Sequence, residues 1–510
     1  MFSRNQAARR WLARTMSIGG ICVLALSCSP DDASAPAAPG APAFAGGASD
    51  GLIPLSRVPV PRPTGDIISR AAAVRLGKAF FWDAQTGGNG RIACATCHFA
   101  AGADGRHTAG SDGMVNAESF NSVNALASVA ADNCTVTNAS QQTTGRNTPT
   151  AVGAIFFRDL FHDGRANHRF NGLNPFGFTV DNTAGSLVSI DNDAAASQAV
   201  GPPNNPTEMS CAGRGFNGSG PLDVHGVPVG TLATKLLARK PLGTQVVDPT
   251  DGVLGTLVAA NGMGLKRSYQ QLINRAFQAS VAGDAKNQFS RIWGQAIAAY
   301  EATLIPDQTP LDQFLLGNTS ALTARQQRGL DRFTGKGGCT KCHVGGELSD
   351  ATVSFAAANG LINEDGGDQG FHNIGVSPTA EDLGHGRTDL HLSVSGSPFD
   401  QGAFKTPTLR NVKLTAPYFH FGQKQTLAEV VDFYARGGDF ANPGSKASRI
   451  NPISLDASDQ VALVDFLTNA LTDCRVEKQR APFDHPSLPN PSGGADLAGP
   501  VGKVGTGSCP

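Results

Sequence analysis

Residues 94–98 read Cys-Ala-Thr-Cys-His, and residues 339–343 read Cys-Thr-Lys-Cys-His. Each stretch follows a segment that is expected to be helical, residues 76–83 before the first and residues 327–337 before the second. The chain's own cysteine and histidine frequencies predict only about 0.004 chance matches to the pattern C-x-x-C-H. Two copies therefore indicate two sites of the same chemistry.

The spacing within each motif suits covalent attachment of haem. Two thiols three positions apart can each add to one vinyl group of a porphyrin, and the histidine that follows then faces the iron. On this interpretation four thiols attach two c-type haems: Cys94, Cys97, Cys339 and Cys342. His98 and His343 are then axial ligands of the two irons. A zinc site divided between the two cysteine pairs, and redox-active thiol pairs, are the alternatives.

Six of the ten cysteines lie outside these motifs. Two of them are in the N-terminal segment, and the other four form an even number in a chain that is expected to be exported. This arithmetic favours two disulfides. Of the three possible pairings we favour Cys134 with Cys211 and Cys474 with Cys509, because each bond then closes a loop within one domain.

The N-terminal segment has the features of an export signal. Four arginines precede a continuous apolar run over residues 18–26, which is too short for a stable membrane anchor. We therefore expect residues 1–28 to be a signal peptide and the protein to be periplasmic or otherwise exported. Cleavage before Cys28 would allow a lipid to tether the protein to a membrane, whereas residues 43–45 (AFA) offer an ordinary cleavage site; both remain open. Residues 29–50, rich in Ala, Pro and Gly, are expected to form a flexible linker.

The overall composition excludes several classes of protein. The chain has 41 Lys+Arg against 42 Asp+Glu, so it lacks the basic charge that binds nucleic acid. At 510 residues it is longer than one hydrophobic core usually supports, and we expect two domains. Its 61 glycines and 31 prolines predict many loops.

Five further motifs occur between and after the two C-x-x-C-H motifs. In order they are 146–150 (RNTPT), 163–166 (DGRA), 198–209 (QAVGP through EM), 404–411 (FKTPTLRN) and 415–420 (TAPYFH). In this combination the chain resembles the bacterial di-haem cytochrome c peroxidase and MauG family. The resemblance implies a mainly α fold of two cytochrome c-like haem domains packed face to face, with long loop-rich insertions.

The resemblance also suggests where these domains lie. The N-terminal haem domain with its insertions would span residues 51–285, the C-terminal haem domain residues 286–480, and a tail residues 481–510. The insertions, within 167–196 and over 212–285, are also typical of large relatives similar to the rubber oxygenases. A dioxygenase with a pocket for a bulky or polymeric substrate is therefore an alternative.

The resemblance assigns the peroxide chemistry to the haem of His98. Glu208 matches the acid–base carboxylate, which moves a proton between the two peroxide oxygens so that the O–O bond breaks. Gln198 and Pro202 match positions that hydrogen-bond within the distal pocket and shape it. His107 would be a removable sixth ligand of this iron, although a surface-loop histidine fits its glycine-rich context equally well. Considered alone, Glu208 would be a solvated loop carboxylate.

A calcium ion near the domain interface is a further implication. Its protein ligands would be Asn147 and the backbone carbonyls of Thr415 and Pro417, and oxygen ligands suit such a hard cation. Between the haems the family usually carries a tryptophan before Asp-Gly-Arg, whereas this chain has His162. A histidine ring is harder to oxidise, so His162 is expected to bond to a propionate or to connect the two sites through water.

Local sequence predicts one more ligand. Residues 426–429 (TLAE) form a capping box that starts a helix running to about residue 435. Apolar residues 427, 430 and 431 share one face with Tyr434, which therefore points inward. In the resemblance Tyr434 stands where peroxidases carry an axial Met and the MauG type an axial Tyr, so we expect it to be the sixth ligand of the His343 haem. The alternative is a core tyrosine bonded to a carbonyl.

A second amphipathic helix is predicted over Phe289–Glu301, because apolar residues recur there at helical spacing and Pro306 stops the pattern. Trp293 and Tyr300 on this helix are expected to lie in the core rather than to relay electrons.

Together these features predict an enzyme of the cytochrome c peroxidase type, a haem-dependent oxidoreductase. It would reduce hydrogen peroxide with electrons from a small cytochrome or cupredoxin. The alternative favoured by Tyr434 is a MauG-like oxidase, which stores two oxidising equivalents across both irons and uses them on a protein or organic substrate. A pure electron-transfer protein would leave Glu208 and Gln198 without a role. A lipid anchor at Cys28 and a homodimer are compatible with these functions.

Overall fold

A capped α-helix precedes each C-x-x-C-H motif, as the sequence predicts. In the computed structural model the first, Arg70–Trp82, begins where the Ser69 side chain accepts a hydrogen bond from the Ala72 N–H group. The second, Ala324–Thr334, begins with a complete capping box between Thr323 and Gln326. These caps satisfy backbone donors that a helix start leaves unpaired.

The structure describes residues 51–105, 144–179, 186–205, 207–210, 214–218, 231–390, 392–491 and 493–509, together with the backbone of four short strands between residues 107 and 142. The predicted signal peptide, the linker, the lipidation site Cys28 and the favoured Cys134–Cys211 pair lie outside these residues. Within this described part, no helix has the length and apolar character needed to cross a bilayer.

Helices make up most of the regular structure in the described residues. The α-helices are α1 (Arg70–Trp82), α2 (Ala95–His98), α3 (Ala194–Ala199), α4 (Leu232–Leu237), α5 (Tyr269–Ala276), α6 (Ala279–Ala282), α7 (Phe289–Glu301), α8 (Pro310–Leu315), α9 (Ala324–Thr334), α10 (Val353–Asn359), α11 (Leu427–Ala435), α12 (Ala457–Asp465) and α13 (Cys474–Glu477). A π-helical segment, Phe466–Ala470, continues α12. Short 3₁₀ turns lie at Leu55–Arg57, Ala84–Thr86, Ala154–Phe156, Pro202–Asn204, Gly255–Leu257, Thr319–Ala321, Cys339–Lys341, Pro398–Asp400 and Val412–Leu414.

The strands form antiparallel pairs of two. They are β1 (His107–Ala109) with β2 (Val115–Ala117), β3 (Asn121–Ser122) with β4 (Gln141–Gln142), and β5 (Phe371–His372) with β6 (Phe404–Lys405). In the last pair Phe371 lies opposite Lys405. The predicted mainly α class is confirmed.

Helices α1 and α7 cross in close contact because residue 77 is a glycine. A Cβ atom on Gly77 would lie only 1.8 Å from the carbonyl oxygen of Ala296. No side chain fits at this crossing, so the backbones themselves touch.

Helices α9 and α12 repeat the arrangement. A Cβ atom on Gly329 would lie 2.2 Å from the carbonyl oxygen of Ala462. In each half of the molecule, therefore, the helix before a C-x-x-C-H motif packs through a glycine on a later helix. Such a repeat is expected if the two halves are similar haem domains, and the domain bounds themselves remain a prediction.

Buried apolar side chains of the described chain form two clusters. The first is built mainly on α1, α3, α5 and α7, and the second on α9, α11, α12 and the π-helical segment. Helix α7 matches the predicted bounds and ends before Pro306, and Trp293 and Tyr300 are buried in the core as expected.

Helix α7, which the predicted bounds assign to the second domain, packs in the first cluster. The ring centres of Trp293 and Phe80 lie 4.7 Å apart, and those of Tyr300 and Phe81 lie 5.5 Å apart. Because α1 carries these partners, the aromatic face of α7 is buried against the N-terminal half.

The C-terminal tail also packs on the N-terminal half. The predicted Cys474–Cys509 disulfide is present. Between these cysteines, Asp484 accepts a hydrogen bond of 3.1 Å from the buried Lys78 ammonium of α1, and the His485 ring stacks on Trp82. The tail is therefore fixed at one end by the disulfide and along its length by α1.

Candidate active site

One cavity of about 780 Å³ brings the two C-x-x-C-H motifs together. Its wall includes the four motif cysteines, His98 and His343. All other predicted site residues with described side chains also line it: Glu208, Gln198, Pro202, Tyr434, His162, Asn147, Thr415 and Pro417. Side chains far apart in the sequence thus face a single space of a size that is usual for cofactor sites.

The first motif forms the short helix α2. The His98 ring donates from Nδ1 to the carbonyl oxygen of Gly102 at 2.8 Å, which leaves Nε2 free to bind a metal. Burial lowers the pKa of His98, so the imidazole is neutral, as a ligand must be.

The second motif reproduces this arrangement in a 3₁₀ turn. The turn starts after Gly338, which has a φ of +62°, and it presents Cys339 and Cys342 to the cavity. The His343 ring donates from Nδ1 to the carbonyl oxygen of Leu348 at 3.0 Å. Burial lowers the pKa of His343 as well.

These residues fit two covalently attached haems. The four motif cysteines carry free thiols, while the described Cys474 and Cys509 are joined to each other. In both histidines Nδ1 donates to a backbone carbonyl, and this tautomer leaves the lone pair on Nε2, the atom that can bind a metal. The cluster of Cys342, Asp350 and His372 has the spacing of a metal site, but it uses a thiol that the haem motif already claims.

Glu208 reaches the cavity from a tight loop. The carbonyl oxygen of Asn205 accepts hydrogen bonds from the N–H groups of Glu208, Met209 and Ser210, at 3.0 to 3.1 Å. Burial raises the pKa of Glu208, and the charge of Arg165 opposes this shift. The Glu208 side chain is partly buried and faces the cavity, and its role as the acid–base carboxylate stays a prediction.

Gln198 and Pro202 precede this loop in the sequence. Gln198 lies in α3, and Pro202 starts the 3₁₀ turn that leads to Asn205. Both side chains line the cavity, as Glu208 does.

Tyr434 lies where the predicted helix puts it. The capping box forms, with Thr426 Oγ1 accepting from the Glu429 N–H group and Glu429 Oε2 accepting from the Thr426 N–H group. The helix ends at Ala435, and residues 427, 430, 431 and 434 all line the cavity. Burial raises the pKa of the Tyr434 hydroxyl.

His162 and His420 lie side by side in the cavity wall, with ring centres 6.4 Å apart. His162 Nε2 donates to the carbonyl oxygen of Asn147 at 2.9 Å, and burial lowers the pKa of His162 to about 4. The His420 ring stacks on Phe404 with centres 3.6 Å apart. Sequence reasoning gave His420 no role, although it belongs to the motif at 415–420.

Asn147 presents an oxygen to the predicted calcium position. Its Oδ1 atom is buried and lacks a hydrogen-bond partner in the described part of the chain, while Nδ2 donates to the carbonyl oxygen of Pro417 at 2.6 Å. Thr415 lies in the same part of the wall. An unpaired buried oxygen next to a backbone carbonyl fits an oxygen-ligated cation.

Lys405 brings a buried cation to the cavity, which sequence reasoning missed. Its ammonium nitrogen lies 3.6 Å from the centre of the Phe157 ring. Burial lowers the pKa of Lys405 to about 7, although the charges of Asp159 and Asp350 act in the opposite direction. The motif at 404–411 was visible in the sequence, but Phe157 is too distant in the chain to be recognised as its partner. His107 has no described side chain, so its predicted role as a ligand lies outside the described residues.

A family model described as di-haem cytochrome c peroxidase matches residues 71–320 of this chain. Over these residues the chain is similar to the di-haem cytochrome c peroxidase and MauG family. The match covers the first haem motif, Glu208 and helices α1 to α7. The second motif lies beyond it.

Curated proteins named cytochrome-c peroxidase or MauG are also similar to this chain. Cytochrome-c peroxidase IdrP2 of Denitromonas iodatirespirans is 37% identical over 199 residues, 35% of this chain and 47% of that protein. Cytochrome-c peroxidase IdrP1 of a Pseudomonas species is 27% identical over 431 residues, 82% of this chain and 84% of that protein. The methylamine utilization protein MauG of Methylorubrum extorquens is 34% identical over 172 residues, 34% of this chain and 42% of that protein. The alignments with IdrP2 and MauG thus span less than half of those proteins.

The matching family model is described as di-haem, and this chain has two C-x-x-C-H motifs, one for each of two c-type haems. The two motifs that face the cavity supply one set of thiols and one imidazole for each haem.

Proposed function

We propose that the protein is an exported, periplasmic di-haem peroxidase that reduces hydrogen peroxide with electrons passed between its two haems. The observation that carries this proposal is the single cavity, which is lined by both haem motifs and by Glu208. The electron donor would be a small redox protein, either a cytochrome or a cupredoxin.

The haems supply the redox chemistry, since their irons accept and release the electrons. The chain fixes the axial imidazoles of His98 and His343 through hydrogen bonds from Nδ1 to backbone carbonyls. These bonds select one tautomer and one ring orientation at each site. Both rings are thus prepared before a haem is attached.

Glu208 would carry the proton transfer. Its carboxylate would take a proton from one peroxide oxygen and return it to the other, which could then leave as water. Burial raises the pKa of Glu208, and a carboxyl group with a raised pKa is suited to both steps. Gln198, which also lines the cavity, would orient the peroxide by a hydrogen bond, and Pro202 would shape the pocket.

The residues between the two motifs would complete the site. Tyr434 is proposed as the sixth ligand of the His343 haem. The ammonium of Lys405 would pair with a haem propionate, because a buried cation is stabilised by a carboxylate partner. The neutral ring of His162 would form part of the contact between the two haems.

A calcium ion held by Asn147, Thr415 and Pro417 would fix the same region. The Asn147 N–H group already donates to the carbonyl oxygen of His420 at 2.7 Å, and His162 bonds to the Asn147 carbonyl. A cation at Asn147 would therefore hold both histidines in place.

The test is the spin and redox state of the purified protein before and after one equivalent of hydrogen peroxide. The peroxidase predicts a haem with an open face that reacts with peroxide and then oxidises a small reduced cytochrome or cupredoxin. Two six-coordinate low-spin haems that remain unchanged by peroxide would exclude the proposal and leave a pure electron-transfer protein.

A MauG-like oxidase is the second candidate, and Tyr434 is the observation that favours it. An anionic phenolate on the second iron lowers its potential and favours a high-valent oxidant over a simple electron relay. This candidate predicts that the fully oxidised protein reacts with peroxide at once, whereas a peroxidase closed by a sixth ligand reacts only after the second haem has been reduced. The rubber-oxygenase-like alternative stays a prediction from the sequence.

A further inference from the structure

A row of aromatic rings leads from the cavity wall into the core of the N-terminal half. Phe81 lines the cavity, and its ring centre lies 6.2 Å from that of His98. On its other side Phe81 packs edge-on against Tyr300, with ring centres 5.5 Å apart. The row therefore starts beside the predicted ligand of the N-terminal haem.

Tyr300 connects this row to Trp82. The indole Nε1–H group of Trp82 donates a hydrogen bond of 3.1 Å to the Tyr300 hydroxyl oxygen. Trp82 also stacks on His485, with ring centres 4.4 Å apart and planes 7° from parallel. Trp82 is 4% exposed, Tyr300 2% and His485 1%, so the row is shielded from solvent.

The surroundings of Trp82 suit a positive charge on its ring. The side chains of Asp251, Asp484 and Lys78 form a fully buried triad, with two carboxylates facing one ammonium. Asp484 is also the chain neighbour of His485, whose ring stacks on Trp82, and burial together with the charges of Asp484 and Asp251 raises the pKa of Tyr300. The stacked His485 is neutral, because burial lowers its pKa and its Nδ1 atom donates to the Pro486 carbonyl. It therefore places no positive charge against the indole.

We propose that Trp82 gives one electron to the N-terminal haem after that haem has reduced hydrogen peroxide, and so stores an oxidising equivalent within the protein. The inference rests on the proposed function. Indole is more easily oxidised than the imidazole of His162, which is the ring proposed between the haems. Trp82 therefore offers the predicted haem site an oxidisable ring that Phe81 separates from His98.

The electron balance of the step is simple. Reduction of hydrogen peroxide to two waters breaks the O–O bond and takes two protons and two electrons. One electron leaves the Trp82 ring, whose centre lies 6.1 Å from that of Phe81, and reduces the oxidised haem by one equivalent. The indole keeps its N–H proton because the phenol that accepts its hydrogen bond is a weak base, so the product is a tryptophan cation radical. The next electron from the donor protein restores Trp82.

Tyr300 acts as a positioning residue in this step. Oxidation of a phenol requires loss of its proton, and no group among the described residues accepts a hydrogen bond from the Tyr300 hydroxyl. Its oxygen instead accepts from Trp82 and fixes the indole beside Phe81.

Trp293 provides a matched control. It is also fully buried, and its Nε1–H group donates to the Ala199 carbonyl at 2.8 Å. Its ring neighbours are Phe80, Phe216 and Phe289, and neither Phe81 nor Tyr300 is among the ring contacts it makes in the described chain. The third tryptophan, Trp11, lies in the predicted signal peptide.

The experiment uses the di-haem protein, frozen after reaction with one equivalent of peroxide without a reductant and examined by electron paramagnetic resonance. We expect an organic radical that narrows when the protein contains ring-deuterated tryptophan. The radical should persist in Trp293→Phe and disappear in Trp82→Phe. In Tyr300→Phe it should remain with altered hyperfine structure, because the indole has lost its hydrogen-bond acceptor.

A radical of unchanged amplitude in Trp82→Phe, or one that does not narrow on deuteration, would overturn the inference. If Trp82→Phe fails to fold, Trp293→Phe with ring-deuterated tryptophan tests the inference instead. In the predicted mature form of that variant Trp82 carries the label, so a narrowed radical signal would come from Trp82. Haem spectra recorded in parallel separate the two proposals. A haem that reacts with peroxide without forming a tryptophan radical would contradict this inference alone. A haem that does not react with peroxide would contradict the proposed function.

Discussion

Glu208 is a partly buried carboxyl group in a cavity that is also lined by two haem motifs, and it is the proposed carrier of protons to peroxide. Replacing Glu208 with Gln keeps the shape of the side chain but removes its ability to take a proton. The rate of reaction with peroxide should fall by about 10²- to 10⁴-fold, the usual contribution of acid–base catalysis. Stopped-flow absorption of the haem measures this rate.

Glu381→Gln is the matched control, because Glu381 is exposed and lies outside the cavity wall. It should leave the rate unchanged. A Glu208→Gln variant that reacts as fast as the wild type would remove Glu208 from the mechanism.

The same residue predicts a pH dependence. The base must be ionised to take the first proton, and burial raises the pKa of Glu208. The rate should therefore fall as the pH drops through this raised value, at a higher pH than the ordinary glutamate value of about 4.3 would give. In Glu208→Gln this acid limb should be absent. The wild type would contradict the account if its rate stayed constant down to the ordinary glutamate range.

Tyr434 is the proposed sixth ligand of the second haem. Tyr434→Phe removes an oxygen ligand, so the spectrum of the His343 haem should change and its reduction potential should rise. Spectroelectrochemistry measures both. Tyr418→Phe is the control, since Tyr418 also lines the cavity but lies outside helix α11. If Tyr434→Phe shifts neither the spectrum nor the potential, Tyr434 is a core residue.

At the residue scale, local spacing predicted what a short segment contains. The haem motifs and the inward direction of Tyr434 follow from patterns of a few residues. The contacts of Lys405 with Phe157 and of Trp82 with Tyr300 join distant parts of the chain, and no local pattern marks them. The raised pKa of Glu208 likewise depends on burial by the folded chain.

Close crossings with α7 and α12 hold α1 and α9, the helices that precede the two haem motifs. Gly77→Ala would place a methyl group 1.8 Å from the Ala296 carbonyl oxygen, so α1 and α7 would have to move apart. Overpacking of this kind costs about 1 to 3 kcal/mol. Thermal or denaturant unfolding should show this loss. Gly499→Ala is the control, because a Cβ atom there has open space, and it should be neutral. A fully stable Gly77→Ala would contradict the crossing.

At the element scale, capping and periodicity were reliable guides. The bounds of α7 and α11 follow from apolar spacing and from the Thr426–Glu429 capping box. The membership of α7 in the first cluster was not predictable, because which helix its aromatic face meets depends on the tertiary packing. That α3 and the turn at Asn205 line the cavity was not predictable either. The insertion before α3 has no periodic pattern, so the sequence does not indicate where it packs.

The whole molecule places both haem motifs, the proposed proton carrier and the proposed second ligand around one space. The tail, closed by the Cys474–Cys509 disulfide, covers α1 on the outside of this arrangement. The sequence predicted the disulfide, but not that the tail would pack on the N-terminal half. The account as a whole therefore depends on two haems attached to the four cavity cysteines.

The mass of the exported, mature protein tests that dependence most directly. Intact-protein mass spectrometry under denaturing conditions retains groups that are bound through thioethers. The account predicts a mass greater than that of the polypeptide by two haems, and by only one haem when Cys339 and Cys342 are both replaced with Ala. A wild-type protein that carries one haem or none would contradict it.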